Sequence, residues 1–242
     1  MITAIIQART GSTRLPNKVF SELAGKPLIA HVVERIRFSA RIDNIVLATT
    51  VNPKDDVLEL WAVQNNVKVF RGSEDDVLSR YYHAADKYKS DIIVRITADD
   101  PFKDPSIFDR VIEELFTKSL DFAYNNNPPT FPEGLDTEIF TFAALKRSFI
   151  EAKDPFEREH VTQYLYRHPE LFKQNNITHS PDLSRMRWTI DTQTDFQMVS
   201  RVYRELYKPG EIFLMDDIVR LIQKHPEIEA INSHVKRSAM YS

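Results

Sequence analysis

Short β-branched runs alternate with helical patterns through the first half of this 242-residue chain. The candidate strands are Thr3–Ala8, Asn44–Thr49, Val67–Phe70 and Asp91–Thr97. The segments between them carry apolar residues at helical spacing, for example Leu28, Ile29, Val32, Val33 and Ile36. Such alternation predicts a parallel sheet with right-handed crossovers and helices on both faces.

The second half of the chain is less regular. A helix around Ile107–Phe116 precedes the loop NNNPPTFPEG, which contains three prolines and shows no periodicity. The later predicted elements are strands Thr137–Phe142 and Met186–Ile190, helices Ala143–Ile150, Asp195–Tyr207 and Met215–His225, and a helix from Pro155 toward Arg167. No repeat or linker interrupts the chain. We therefore expect one α/β domain with a mainly parallel, Rossmann-like sheet.

Composition narrows the classes of partner. A net charge of −3 gives no general attraction to nucleic acid or to a membrane surface. The chain has no cysteine, so disulfides, thiolate metal sites and a cysteine nucleophile are excluded. No apolar run approaches the ~20 residues that span a bilayer, and Gln7 and Arg9 interrupt any secretory pattern. A cytoplasmic protein is expected.

The first predicted strand runs directly into a basic connection, AIIQARTGSTRLPNK. With five glycines and neither GxGxxG nor GxxxxGK(S/T), the chain lacks a glycine-rich phosphate loop. The connection instead offers groups that suit phosphate oxygens, on Arg9, Ser12, Thr13, Arg14 and Lys18. Because ligands bind beyond the carboxyl ends of parallel strands, we expect an anion site here. A solvated basic loop is the alternative.

Carboxylates follow two other predicted strands. The strand in IVRITADDPF runs into Asp99, Asp100 and Pro101, and the strand in MRWTIDTQTD ends on Asp191 and is followed by Asp195. Mg²⁺ is commonly held by one or two carboxylates together with substrate phosphates. Each aspartate alone also suits a helix N-cap or a turn. A carboxylate pair facing a cationic loop favours the metal site.

A third group of polar residues lies in or beside irregular segments, where binding residues concentrate. Asp75 is predicted to cap a helix that carries Arg80 inward. The other members are Glu133, Asp136, Glu138, Arg158, Glu159 and His160. For His160 a hydrogen-bonded structural role is the alternative, and no HExxH or paired-histidine spacing indicates zinc.

Ordered motifs along the chain resemble those of the SpsF family of spore coat polysaccharide biosynthesis proteins. These are cytidylyltransferases related to the enzymes that make CMP-Kdo and CMP-acylneuraminate. The motifs are IIQARTGSTRLPNKVF, GKPLI, LATT, RGSEDDVLSRY, RITADDPFKDP, EGLDTEIF, REHVT and RWTIDTQTD. They extend from the amino terminus to about Asp195, and the ordered set is more specific than any one motif.

The resemblance implies a nucleotide-diphospho-sugar transferase fold, Mg²⁺ dependence, and transfer of CMP from CTP to an acidic sugar-like acceptor in surface polysaccharide or glycoconjugate biosynthesis. The expected nucleotide-binding set is Gln7, Arg9, Ser12, Arg14, Lys18, Thr49 and Arg80. Asp99 and Asp191 match the family's metal-binding carboxylates, and with Arg14 and Lys18 they form the expected catalytic set. The expected acceptor-binding set is Glu133, Asp136, Glu138, Arg158 and His160.

Relatives of this kind are commonly dimers, so the resemblance also implies a homodimer. Residues 125–185 are then expected to be an elaboration on the acceptor side of the domain, used in dimerisation. Asp99-Asp100-Pro101 stands where the Kdo enzymes have Asp-Glu-Pro, and Thr97-Ala98 replaces their Gln-Gly. These departures bear on the identity of the acceptor.

Three other functions stay open at this stage. A sugar-1-phosphate nucleotidyltransferase shares the fold but typically carries a glycine-rich loop where this chain has Arg9 and Ser12. A glycosyltransferase of similar fold usually shows Asp-x-Asp after its central strand, and Asp99-Asp100-Pro101 fits this poorly. A non-enzymatic nucleotide-binding module is the third, and the retained carboxylate pair argues against it.

Overall fold

A seven-stranded sheet runs through the centre of the computed structural model, which describes residues 1–12 and 14–236. The strands in chain order are β1 (Ile2–Gln7), β2 (Glu22–Leu23), β3 (Lys26–Pro27), β4 (Asn44–Thr50), β5 (Lys68–Gly72), β6 (Ile92–Thr97), β7 (Phe122–Tyr124), β8 (Glu138–Thr141) and β9 (Gln174–Asn176). Strands β2 and β3 form a separate antiparallel pair. The order in the large sheet is β5-β4-β1-β6-β8-β7-β9.

Helices cover both faces of this sheet. They are α1 (Leu28–Ile36), α2 (Asp56–Gln64), α3 (Val77–Lys87), α4 (Pro105–Thr117), α5 (Phe142–Glu151), α6 (Pro155–Glu159), α7 (Gln163–Arg167), α8 (Gln193–Leu206), α9 (Met215–Lys224) and α10 (Glu227–Ala230). Within the described residues, no helix has the length and apolar character that crossing a membrane requires.

The predicted α/β domain with a mainly parallel sheet is confirmed. Strands β5, β4, β1 and β6 are parallel neighbours, and only β8 is antiparallel to the strands beside it. Side chains alternate across the sheet, so that Ile6 belongs to the core shared with α1, α4 and α8 while Ile5 belongs to the core shared with α3 and α5. Both isoleucines are fully buried, and each contributes about 1.5–3 kcal/mol through burial.

The pairing of β1 with β6 positions the site. Gln7, the last residue of β1, is in register with Thr97, the last residue of β6. The connection that begins at Ala8 therefore starts beside the connection that begins at Ala98, at the carboxyl edge of the parallel strands.

The predicted strand Met186–Ile190 is wrong. The segment forms a single parallel bridge between Glu133 and Arg187. The pairing does not continue past Glu133, because Gly134 adopts a φ of +100°, which is not strand geometry. A Cβ at this position would lie 2.9 Å from backbone atoms of Trp188 and Thr189, so glycine is required for the close approach.

Two helix predictions also need correction. The helix from Pro155 toward Arg167 is divided into α6 and α7, because Val161 adopts a left-handed φ of +47° that no helix can continue through. The cap of α3 is Asp76, whose carboxylate accepts from the Ser79 backbone N–H at 2.9 Å, and not Asp75. The short strands β2, β3, β7 and β9 were not predicted.

Candidate active site

The basic connection after β1 is anchored by a buried carboxylate. Asp55 Oδ1 accepts hydrogen bonds from the backbone N–H and the hydroxyl of Thr10, at 2.8 and 2.7 Å, while Oδ2 accepts from Thr50. Burial would raise the pKa of Asp55, but these hydrogen bonds outweigh burial and lower it. The loop that carries the cations therefore begins from a fixed point.

A cleft of about 490 Å³ opens above this loop. Its lining includes most of the predicted nucleotide-binding set: Gln7, Arg9, Ser12, Arg14, Lys18 and Arg80. Thr49 is not among the lining residues, because its side chain is fully buried in the sheet. Thr13, which the sequence also placed in the anion site, lies outside the described residues.

Arg80 reaches the cleft from the first turns of α3 and is 3% exposed. One guanidinium nitrogen donates to the carbonyl of Ser73, and Nε has no hydrogen-bond partner among the described residues. Burial lowers the pKa of Arg80, and the nearby charge of Arg9 lowers it further. A buried guanidinium of this kind is stabilised by an anion or a carbonyl oxygen placed in the cleft.

The floor of the cleft brings Asp99 and Asp191 together around Lys18. Lys18 Nζ lies 2.6 Å from Asp99 Oδ2 and 3.0 Å from Asp191 Oδ1. Burial alone would raise the pKa of Asp99, but the ammonium outweighs burial and holds that pKa below its ordinary value. A backbone hydrogen bond of 2.9 Å from Ile190 N to Asp99 O fixes the two segments side by side.

A second cavity of about 190 Å³ adjoins the cleft, and its described lining contains no aliphatic or aromatic residue. Three of the predicted acceptor-binding residues line it: Glu133, Asp136 and Glu138. Arg14, Thr97, Asp99 and Asp191 line both spaces. The carboxylate pair therefore stands at the boundary between the cleft and the second cavity.

The other two predicted acceptor residues lie elsewhere. His160 lines the cleft, with its ring 4.5 Å from that of Phe156, and burial lowers its pKa. Arg158 lines neither space. Its guanidinium donates two hydrogen bonds to Asp76 Oδ2, at 2.9 and 2.6 Å, and so ties α6 to the start of α3.

Three cations in and around the second cavity were not predicted, namely the buried Arg187 and Lys103 and the half-buried Arg95. Arg187 binds Glu133 at 2.8 Å, Asp191 at 3.1 Å and Asp195 at 2.9 Å. Lys103 binds Asp100 at 3.0 Å, and Arg95 pairs with Glu138. Each of the three lies in a sequence motif that also contains a predicted site carboxylate. That proximity was the only feature of the sequence that could have indicated a role in the site.

Comparison with known proteins relates this chain to cytidylyltransferases. A family model described as cytidylyltransferase matches residues 3–232. The spore coat polysaccharide biosynthesis protein SpsF of Bacillus subtilis is 34% identical to this chain, over 93% of the chain and 95% of that protein.

Solved structures agree on the fold. A cytidylyltransferase from Leptospira borgpetersenii superimposes with a TM-score of 0.89 at 35% identity, covering 94% of this chain and 95% of the other. The CMP:2-keto-3-deoxy-manno-octonic acid synthetase complexed with CTP gives a TM-score of 0.63 at 17% identity, covering 85% of this chain and 99% of that one. The second likeness concerns the fold alone.

Proposed function

The chain belongs to the cytidylyltransferase family, and from that membership we propose that it transfers CMP from CTP to a hydroxyl group of a sugar-like acceptor. The acceptor oxygen attacks the α-phosphorus in line, a new P–O bond forms, and the bond from the α-phosphorus to the bridging oxygen breaks. Pyrophosphate leaves and the hydroxyl proton is released.

One observation carries this proposal: the cleft and the second cavity share Asp99 and Asp191 in their lining. The cleft has the volume and the cations for a nucleotide, while the smaller cavity is lined by polar side chains that suit a hydroxyl-rich molecule. With CTP in the first space and the acceptor in the second, the reacting atoms meet beside the two carboxylates.

The protein's own contribution is positioning and neutralisation of charge, since phosphoryl transfer asks for little covalent chemistry from side chains. Arg9, Arg14 and Lys18 line the cleft and supply three positive charges for the triphosphate. Arginine forks bind phosphate oxygens in pairs, and the lysine adds a point charge. These groups stabilise the charge that builds on the departing pyrophosphate.

Asp99 and Asp191 fit Mg²⁺. Both carboxylates already converge on one cation, the ammonium of Lys18, within 3.0 Å. No group of three or more His, Cys, Asp or Glu able to hold a metal occurs among residues 1–12 and 14–236, so the remaining ligands would be phosphates and water. When bound, Mg²⁺ supplies charge stabilisation and lowers the pKa of the acceptor hydroxyl.

The acceptor class follows the resemblance, which implies a sugar acid. The lining of the second cavity supports a small polyhydroxylated molecule, because threonine, carboxylate and cationic groups provide hydrogen bonds in place of apolar contacts. Its three cations, Arg14, Arg95 and Lys103, are the candidates for contacting an acidic group.

Pyrophosphate release measured with each of the four NTPs tests the proposal, against a panel of 3-deoxy-2-keto sugar acids and sugar 1-phosphates. We expect release with CTP and a sugar acid only. Asp99→Asn enzyme is the blank for contaminating activity, and Lys26→Met is the matched purification control because Lys26 pairs with Glu34 away from the cleft. Preference for UTP with a sugar 1-phosphate would replace the proposal with the alternative nucleotidyltransferase.

The homodimer and the dimerisation role of residues 125–185 stay predictions. Sedimentation analysis of the intact chain, with and without CTP, tests the homodimer. The same measurement on a variant with charge reversals on the exposed face of α5 tests the dimerisation role of residues 125–185.

A further inference from the structure

Lys18 is saturated by partners at the floor of the cleft. Its Nζ donates to Asp99 Oδ2 at 2.6 Å, to Asp191 Oδ1 at 3.0 Å and to the carbonyl of Ile190 at 2.9 Å. An ammonium has three N–H donors, so every donor is used. The side chain is 12% exposed, which leaves little water to compete for these bonds.

The ammonium therefore fills the position that a shared metal ion needs. Mg²⁺ binds carboxylate oxygens at about 2.0–2.1 Å, so an ion held by the same two oxygens would have to replace Nζ. The Lys18 ammonium and a Mg²⁺ ion beside the same two carboxylate oxygens would repel each other strongly, because little water is present to screen their charges.

Among the described residues, only Lys18 forms an ion pair with both carboxylates. Arg14 binds Asp191 Oδ1 at 3.0 Å and Arg187 binds Asp191 Oδ2 at 3.1 Å, but neither forms an ion pair with Asp99. Arg14 is also 61% exposed, so water screens its charge. Lys18 is thus the group that decides whether the space between the carboxylates is open.

We propose that Lys18 is the resident counter-ion of the Asp99–Asp191 pair and blocks divalent cations from that pair until a nucleotide is bound. The inference rests on the proposed function, which assigns the metal to these carboxylates. A bound triphosphate gives Lys18 other anionic partners within the cleft that it already lines, and it adds oxygen ligands for the metal. Metal and nucleotide then enter together, and the free protein does not hold the metal in advance.

Nucleotide-free protein is sufficient for the test, with Mn²⁺ as a paramagnetic probe. Loss of the free Mn²⁺ signal in electron paramagnetic resonance reports binding. We expect Lys18→Met to bind Mn²⁺ at least about tenfold more tightly than the unaltered chain, a typical size for coupling between sites. A purely structural role for Lys18 would lower metal affinity or leave it unchanged, so the sign of the effect is diagnostic.

Three variants make the result specific. Lys26→Met removes an ammonium from a single carboxylate, Glu34, and should leave Mn²⁺ affinity unchanged. Lys18→Met combined with Asp191→Asn should lose the gain, because one carboxylate remains. Lys18→Gln should show the same gain in Mn²⁺ affinity. It keeps a polar side chain, so it replaces Lys18→Met if that variant fails to fold.

Thermal unfolding gives a second readout. Because a ligand stabilises the state that binds it, Mg²⁺ alone should raise the unfolding temperature of Lys18→Met or Lys18→Gln and not that of the unaltered chain. Equal Mn²⁺ affinity in the variants and the unaltered chain, or equal stabilisation by Mg²⁺, overturns the inference. Neither measurement uses CTP, so a failure here is separate from a failure of CMP transfer, which pyrophosphate release detects.

Discussion

Arg187 Nη2 donates a hydrogen bond of 3.1 Å to Asp191 Oδ2, while Lys18 and Arg14 both contact the other oxygen, Oδ1. The two oxygens of Asp191 therefore have different partners. Arg187 is 6% exposed and is itself held by Asp195, which accepts two hydrogen bonds from the guanidinium. The guanidinium fork on Asp195 therefore fixes Arg187, and Arg187 in turn orients Asp191 through a single hydrogen bond.

Arg187→Lys keeps the charge and removes the fork, so it should weaken both stability and turnover. We expect a loss of about 1.5–3 kcal/mol in the free energy of unfolding, the range for hydrogen bonds to charged groups. Turnover should fall because Asp191 is no longer oriented. Urea unfolding and pyrophosphate release measure the two effects. Arg220→Lys is the control, since that pair with Asp217 is exposed and should change stability by about 0.5 kcal/mol or less.

Arg14→Lys should weaken CTP binding more than retention of the charge predicts. The guanidinium lines the cleft and is 61% exposed, so it is available to triphosphate oxygens. Lysine cannot reproduce a bidentate contact, and we expect a loss of about 1–3 kcal/mol in binding free energy. Calorimetric titration with CTP and Mg²⁺ measures it. Unchanged affinity and turnover would assign Arg14 to a solvated surface loop.

CTP should stabilise the protein more than UTP or ATP does. This expectation comes from membership of the cytidylyltransferase family. Thermal unfolding with Mg²⁺ and each nucleotide measures it, since stabilisation grows with the ratio of ligand concentration to dissociation constant. Equal or greater stabilisation by UTP would count against cytidine specificity and leave the fold unaffected.

Strands β1, β4 and β6 could be predicted because each is largely a buried run rich in β-branched residues. The observed bounds of these strands and of the less buried β5 lie within two residues of the expected ones. Strands of two or three residues such as β2 and β9 are too short to show a period of two. The break between α6 and α7 depends on the backbone of Val161, a β-branched residue that rarely adopts positive φ, so the sequence pattern argued against it.

The sequence predicts that Asp99 and Asp191 converge, because each follows a predicted strand of one sheet. The structure brings them together by another route, since Asp191 follows an irregular segment that is held by the hydrogen bond from Ile190 N to Asp99 O. The pairing of Arg187 with Glu133 and the hydrogen bond from Lys103 to the carbonyl of Asp136 could not be predicted, because each joins residues that are distant in the sequence.

His31 should make stability depend on pH. It is 1% exposed, Nε2 lies 2.5 Å from the carbonyl of Leu23, and the rings of Tyr203 and Tyr207 pack edge-on against it. Burial lowers its pKa, and the raising effects of the Leu23 carbonyl and Glu34 do not compensate. The unfolded state therefore binds a proton at a higher pH than the folded state does.

The free energy of unfolding should consequently fall as the pH drops below the ordinary value of 6.5, and this loss should end below the lower pKa of the folded state. His31→Gln should flatten the dependence in that window. Urea unfolding across this pH range measures it for both proteins, and parallel curves for the two would contradict the assignment.

The last prediction concerns the two carboxylates at the boundary of the cleft. Asp99→Asn and Asp191→Asn should each lower turnover by at least about a hundredfold, a few kcal/mol of lost electrostatic stabilisation. Because both residues are proposed to serve one Mg²⁺, the double variant should be scarcely worse than either single one. Folding should survive, since asparagine keeps the shape and can still accept from Lys18. Turnover across a Mg²⁺ titration measures all three, and additive losses would refute a shared metal.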